Sequence, residues 1–209
     1  MQNDTIAHRP AAEHPRPPKE GWRSITSTIL ILMAAPFIAL ILTAFVFQSY
    51  EVEGPSMEST LQNRDRLIVW KLGKTWASLT NRDYMPNRGD IVIFHRPNNA
   101  GVATEGDKQL IKRVVALPGE RVIIQDDILT VYNDQFPGGF QPDQTGAYTI
   151  NPDSTNVDLD ITIPDGQVFV CGDNRGNSLD SRNFGPIKSD QIVGNLSARI
   201  YPFNKFDTF

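Results

Sequence analysis

The stretch Gln109-Leu110-Ile111-Lys112-Arg113-Val114-Val115-Ala116-Leu117-Pro118-Gly119-Glu120 is a β-branched run closed by a Pro-Gly turn, with two adjacent cations set into apolar sequence. It reads as a strand over residues 109–117. Strand alternation places Leu110, Lys112, Val114 and Ala116 on one face and Ile111, Arg113, Val115 and Leu117 on the other, so each face carries one cation among apolar neighbours. The ordinary reading of such a pair is structural: long stems lie on apolar surface while the charges reach water or meet carboxylates. Chemistry separates the two, because a buried lysine can lose its proton near neutral pH whereas an arginine cannot. Of this pair, only Lys112 can act as a base.

Working outward, residues 65–71, 90–95, 121–124, 128–132, 167–171 and 191–200 are similar short runs bounded by Gly, Pro, Asn or Asp, and none keeps a helical period over ten residues. The fold class they define is mostly β, a partly closed antiparallel β-sheet domain. Residues 101–108 read as a mobile loop. Residues 134–165, with Pro137, Gly138, Gly139, Pro142, Gly146, Pro152 and Pro164, read as a small inserted lobe. There is no internal repeat.

Ahead of the first strand, residues 25–47 contain no charge. At a rise of about 1.5 Å per residue they reach roughly 34 Å, enough to cross a bilayer as one transmembrane helix that Pro36 is expected to kink. The span is longer than the ~7–15 residues of a cleavable signal's apolar region, and bulky residues close it, which favours a retained anchor. The Pro-rich segment 1–24 reads as a disordered tail. Arg9, Arg16, Lys19 and Arg23 precede the span, while Glu51 and Glu53 are the first charges after it. Positive residues stay in the cytoplasm, so the expected topology is single-pass in the cell (inner) membrane, with the domain of residues 48–209 outside it, periplasmic or extracytoplasmic. A net charge of −4 and a pI near 5.4 give no footprint for nucleic acid. The single cysteine, Cys171, follows an apolar run and reads as a buried strand end rather than a nucleophile. No cofactor and no metal site is expected.

The candidate nucleophile is Ser56, in Glu53-Gly54-Pro55-Ser56-Met57-Glu58-Ser59-Thr60-Leu61. A serine hydroxyl needs a neighbouring group to take its proton. Of the three histidines, His8 and His14 lie before the apolar span and only His95 lies after it, which makes Lys112 the better partner. The oxyanion of such a reaction is expected on the main-chain N–H of Ser56.

Pro55-Ser56-Met57 with Thr60-Leu61, then residues 112–119, then Gly172-Asp173-Asn174-Arg175-Gly176-Asn177-Ser178-Leu179-Asp180-Ser181-Arg182 resemble, in order, three motif boxes of the bacterial type I signal peptidases. The resemblance extends over residues 25–194. It implies a membrane-anchored serine endopeptidase with a Ser-Lys dyad, acting through an acyl-enzyme to remove signal peptides from exported preproteins after small residues at the first and third positions before the cut. By that match Ser178 hydrogen-bonds the lysine and aims it at Ser56, and Asp180 with Arg182 forms a charged pair that holds the loop. Val52, Met57, Leu61 and Ile111 would line shallow apolar pockets. Many members carry a serine or threonine oxyanion donor where this chain has Gly54, while others have glycine, and proline is common where Ser59 stands. A specialised conjugation or pilus processing peptidase shares these motifs. A catalytically silent membrane-tethered binding module is the reading from another class, and a self-cleaving repressor-like Ser-Lys protease is disfavoured by the apolar span and the acidic pI.

Overall fold

The structure is a computed structural model, and it describes residues 20–96, 109–151 and 157–209. The expected tail up to residue 19 and the expected loop 101–108 lie outside the described residues. The chain divides into two compact units between Leu40 and Ile41.

The first unit is built on helix α1, Glu20–Ile41, which starts ahead of the expected position 25 and contains Pro36. The apolar stretch Ile25–Val46 is long enough to cross a membrane. Its large side chains face outward, Leu30 and Leu32 among them at 71% and 73% exposure. In water such a surface has no counterpart, since apolar side chains gain by leaving solvent.

The second unit opens with a π-helical turn, Leu42–Val46, and passes directly into β1, Phe47–Glu51. It continues through β2 (Arg66–Trp70), α2 (Leu72–Leu79), β3 (Ile91–His95), β4 (Gln109–Ala116), β5 (Arg121–Gln125) and β6 (Ile128–Tyr132). β7 (Leu159–Thr162), β8 (Gln167–Cys171), α3 (Ser181–Phe184), β9 (Ile187–Lys188), β10 (Ile192–Tyr201) and β11 (Asp207–Thr208) complete it. The larger sheet runs β1-β2-β10-β3-β4-β8-β9, with β11 on β10, and the smaller runs β6-β5-β7. All pairings between strands are antiparallel. The fold is mostly β and antiparallel as expected, and the larger sheet, which ends on β1 and β9, is not closed.

Three local readings are corrected. The helix α2 sits in sequence read as β throughout; its stripe Leu72, Trp76, Leu79 has helical spacing but is too short to be conspicuous. The small lobe is broader than residues 134–165, because β7 pairs with β5, and the β5-β6 hairpin belongs to the same sheet. The alternation along β4 breaks after Val114. The register of β4 against β8 shifts between Val114 and Ala116, so Val115 and Ala116 enter one core cluster while Val114 enters another with Leu110 and Leu117. A bulge of this kind adds one residue and re-aims the side chains beyond it.

The core is correspondingly divided. Val115, Ala116, Phe169 and Cys171 of the larger sheet pack against Val122, Ile124, Leu129 and Val131 of the smaller one. A second cluster gathers Val92, Phe94, Val114, Val170 and Ile192. The third, made of Val52, Met57, Leu61, Leu67, Ile91 and Leu196, lies beneath the segment that carries Ser56.

Candidate active site

The segment between β1 and β2 winds into consecutive turns: Glu58 N–H donates to Pro55 O at 3.0 Å and Leu61 N–H to Met57 O at 2.8 Å. Met57 and Leu61 are fully buried, and their insertion into the third cluster fixes the loop from below. Gly54 enters the turn at φ +88° and its N–H donates to Asn63 Oδ1 at 3.0 Å. Ser59 has φ +92°, an angle closed to proline, whose ring holds φ near −65°. Its hydroxyl donates to Thr149 O at 2.7 Å. The turn at this position is therefore one that the family's common proline would not permit.

Strand β4 brings Lys112 to this loop. Its Nζ donates to Ser56 Oγ at 2.8 Å and to Ile111 O at 2.8 Å, and the residue is 2% exposed. Burial lowers the amine's pKa from 10.5 to about 8, against the opposing pull of Asp180, Cys171 and Asp173, while Arg182 helps to lower it. A sizeable neutral fraction near neutral pH is the requirement for a lysine base.

The neighbouring cation takes the structural part. Arg113 Nε donates to Asp173 Oδ1 at 2.8 Å and Nη2 to Oδ2 at 2.6 Å, Nη1 donates to Gly89 O, and the guanidinium lies 4.4 Å from the Tyr148 ring centroid. Thr60 Oγ1 also donates to Asp173. The loop after β8 is thus pinned to the Ser56 turn, a link strengthened by the bond from Asn174 N–H to Ser56 O at 3.0 Å. Arg175 forks onto Asp143 and donates to Gly172 O, which ties the same loop to the segment after β6. Sequence reasoning missed Asp173, Asn174, Arg175 and Asp143. The charges in the third box were the available signal, but their distant partners carry none.

Asp180 and Arg182 form a buried fork, Nε to Oδ1 and Nη2 to Oδ2 both at 2.8 Å. Burial alone would push the Asp180 carboxyl up; the Arg182 bonds and charge, with the Gly172 N–H at 2.9 Å, hold it below its usual range. The same carboxylate caps α3. Ser178 Oγ is buried beside this group, contributes to holding Asp180 down, and makes no full hydrogen bond to Lys112 or to any other described residue.

A cleft of about 200 Å³ opens at Ser56 and Lys112, lined by residues 50–53 and 109–112 with Leu67 and Ile93. Val52 and Ile111 are in its wall; Met57 and Leu61 are under its floor. Burial pushes the Cys171 thiol far up, which leaves it inert. His95 ends β3 and is not part of the cleft lining. No group of three or more His, Cys, Asp or Glu among the described residues is placed to hold a metal ion.

The backbone angle of Gly54, φ +88°, favours glycine, and no protein atom lies within 4 Å of where its Cβ would stand. A β-branched residue at this φ is strained by about 1–3 kcal/mol. We expect Gly54→Val to lower the melting temperature and most of the turnover. Gly54→Ser, able to tolerate the angle better and to present a hydroxyl, should change turnover by less than about tenfold. Steady-state rates and thermal melts of the two variants check this.

A serine hydrogen-bonded to a buried lysine stands on antiparallel sheet next to an apolar cleft, an arrangement able to support acyl transfer. The comparisons with known proteins agree. Residues 25–201 match the family described as signal peptidase, peptidase S26, and the chain belongs to that family, the bacterial type I signal peptidases. It is 36% identical to a probable signal peptidase I-1 of Synechocystis over 88% of this chain and 87% of the relative. It is 34% identical to a signal peptidase I of Bacillus caldolyticus, over 81% and 90%, and 34% identical to signal peptidase IB of Staphylococcus aureus strain COL, over 88% and 93%. Among solved structures, a signal peptidase I from Enterococcus faecalis V583 is 30% identical, with a TM-score of 0.36 over 54% of this chain and 97% of that one. The chain is accordingly a serine peptidase hydrolase.

Proposed function

We propose that this protein cleaves signal peptides from exported preproteins, with Ser56 as nucleophile and neutral Lys112 as general base. The 2.8 Å contact between Lys112 Nζ and Ser56 Oγ inside a buried site is the observation that carries the reading. Lys112 takes the Ser56 proton as Oγ attacks the scissile carbonyl, and the ammonium then gives that proton to the leaving amine as the C–N bond breaks. A water repeats the sequence on the acyl-enzyme: it loses its proton to Lys112, attacks the ester carbonyl, and Ser56 leaves as the hydroxyl. The Ser56 N–H donates to no acceptor among the described residues, which suits it to the oxyanion. Asp180 and Arg182 act from behind: the fork keeps the carboxylate engaged, so its charge does not fully re-protonate the lysine, and Ser178 stands beside that carboxylate.

An extended peptide laid between residues 50–53 and 109–112 meets Val52 and Ile111 in the wall of the cleft. Met57 and Leu61 pack behind these walls with Leu67, which itself lines the cleft, so the pockets are shallow and suit small side chains at the first and third positions before the cut. The apolar helix anchors the chain in the cell membrane with its N-terminus cytoplasmic, and the peptidase domain meets the preprotein as it emerges outside. No nucleic acid enters this reading.

The pH dependence tests it. Because the reactive form is the neutral amine and its pKa lies near 8, turnover should fall as pH drops through about 8. Replacing Lys112 by a less basic amine, through Lys112→Cys and aminoethylation, should move that limb to lower pH. A limb that stays where it was would assign the titration to another group and end the reading. Stability follows the same group. The folded pKa is depressed, so the unfolded chain binds more protons between about 8 and 10.5, and stability rises with pH across that window. Below it the burial cost stays constant, on the order of 3 kcal/mol. Lys112→Met should therefore be inactive yet melt higher than wild type at pH 6, which calorimetry would register.

A further inference from the structure

Asp143 and Tyr148 lie outside the three motif boxes, between β6 and β7, yet they meet the second and third of them. Arg175 Nη2 donates to Asp143 Oδ1 at 2.7 Å, Nη1 donates to Oδ2, and the Tyr148 hydroxyl donates to Asp143 Oδ1 at 3.1 Å. The Tyr148 ring lies on the guanidinium of Arg113, which holds Asp173. One aromatic side chain thus touches both ion pairs that grip the ends of the loop Asp173-Asn174-Arg175. The main chain repeats the grip: Asn151 N–H donates to Asp173 O at 2.8 Å and Arg175 N–H to Asn151 O at 3.0 Å. The same loop holds the Ser56 turn, through Asn174 N–H to Ser56 O at 3.0 Å and Asn174 Nδ2 to Pro55 O at 3.2 Å. The bond from Ser59 Oγ to Thr149 O closes the ring.

We propose that Asp143 and Tyr148 are positioning residues: residues 143–151 form a strap that holds the 172–175 loop against the Ser56 turn and so keeps Ser56 Oγ within reach of Lys112 Nζ. Arg175 is buried and its guanidinium stays charged. Without the Asp143 carboxylate that charge is uncompensated, and the cation draws its loop toward water or another anion. The loop cannot shift alone, because Gly172 stands so close to Ser56 O and Ser178 Oγ that a Cβ would not fit. Movement at the strap is passed to the nucleophile. Residues 143–151 contribute nothing to the lining of the substrate cleft, and Asp143 is not among the charges that set the Lys112 amine. The signature of the strap is a fall in kcat at unchanged KM and unchanged pH profile. The inference rests on the Ser56 and Lys112 reading above.

The test combines hydrogen exchange with steady-state cleavage of one soluble precursor peptide by the detergent-solubilised full-length chain. Asp143→Asn should speed exchange over residues 54–61 and 172–179 and leave residues 91–95 of the larger sheet at the wild-type rate. Its kcat should fall about 10²-fold, with KM within about twofold of wild type and the acidic limb still at about 8. Asp143→Glu, which restores the charge, should regain most of the loss. Tyr148→Leu removes no charge and should lower kcat about tenfold, whereas Tyr148→Phe, which keeps the ring on Arg113, should lower it by less than about threefold. A folded Asp143→Asn with wild-type kcat overturns the strap, and so does a loss confined to KM or an acidic limb that moves. Should Asp143→Asn not fold, wild-type kcat in Tyr148→Leu overturns it instead. A wild type that cuts no precursor, while Asp143→Asn still loosens residues 54–61, removes the signal peptidase reading and leaves the strap as the brace of the Ser56 turn.

Discussion

Ser56→Ala and Lys112→Ala should each abolish cleavage while the protein stays folded, and Lys112→Arg should be equally inactive. Each of the first two removes one half of a single proton-transfer pair, and loss of a general base alone costs about 10²–10⁴-fold. Arginine keeps the charge but cannot give up a proton, so it blocks the step that the neutral amine performs. Turnover on one preprotein, with circular dichroism of each variant, measures this. If Lys112→Ala retained more than about a tenth of the wild-type rate, the pair would not be the catalytic one. Inhibitors that depend on an active-site histidine should have little effect, since His95 lies outside the cleft lining.

The second large effect is expected at Gly172, which follows β8 and carries no unusual backbone angle. A Cβ there would stand inside contact distance of Ser56 O and Ser178 Oγ, and 2.6 Å from Ser178 Cβ. One of these neighbours is backbone of the candidate nucleophile and cannot swing away. Gly172→Ala should therefore displace the Ser56 turn from Lys112, and a shift of about 1 Å in a reacting group costs on the order of 10²-fold. Gly138→Ala, where nothing lies within 4 Å, is the control and should be active. Near-wild-type turnover of Gly172→Ala would mean that the packing of the third box onto the Ser56 turn does not set the reacting geometry.

How much of this could be read beforehand follows from where each signal resides. Residues 128–132 and 167–171 were readable to the residue because polar turns bound each run and no alternative period competes. The scarcity of histidines after the span pointed to a lysine base, and the resemblance to the signal peptidase motif boxes, not any local pattern, singled out Lys112 as the partner of Ser56. The inverted α2 was hidden because pattern reading expects large apolar residues to face a core, whereas here Trp76 and Leu79 face away from it. The bulge at Val115 left no glycine or proline to mark it. Met57 and Leu61 show a limit of another kind. An apolar residue beside a nucleophile has the same sequence signature whether it lines a pocket or fills the space beneath, and only packing places both in the third cluster. The ion pairs of Arg113 with Asp173 and Arg175 with Asp143 span separations of 60 and 32 residues, too far for any local pattern to pair them.

The reading of a signal peptidase that uses Ser56 and Lys112 is tested most directly by incubating the detergent-solubilised full-length protein with a preprotein and reading the new N-terminus by mass spectrometry. The account predicts one new N-terminus, with small residues at the first and third positions before it, formed by wild type and absent with Ser56→Ala. An intact preprotein with wild type, or the same cut made by Ser56→Ala, would contradict it.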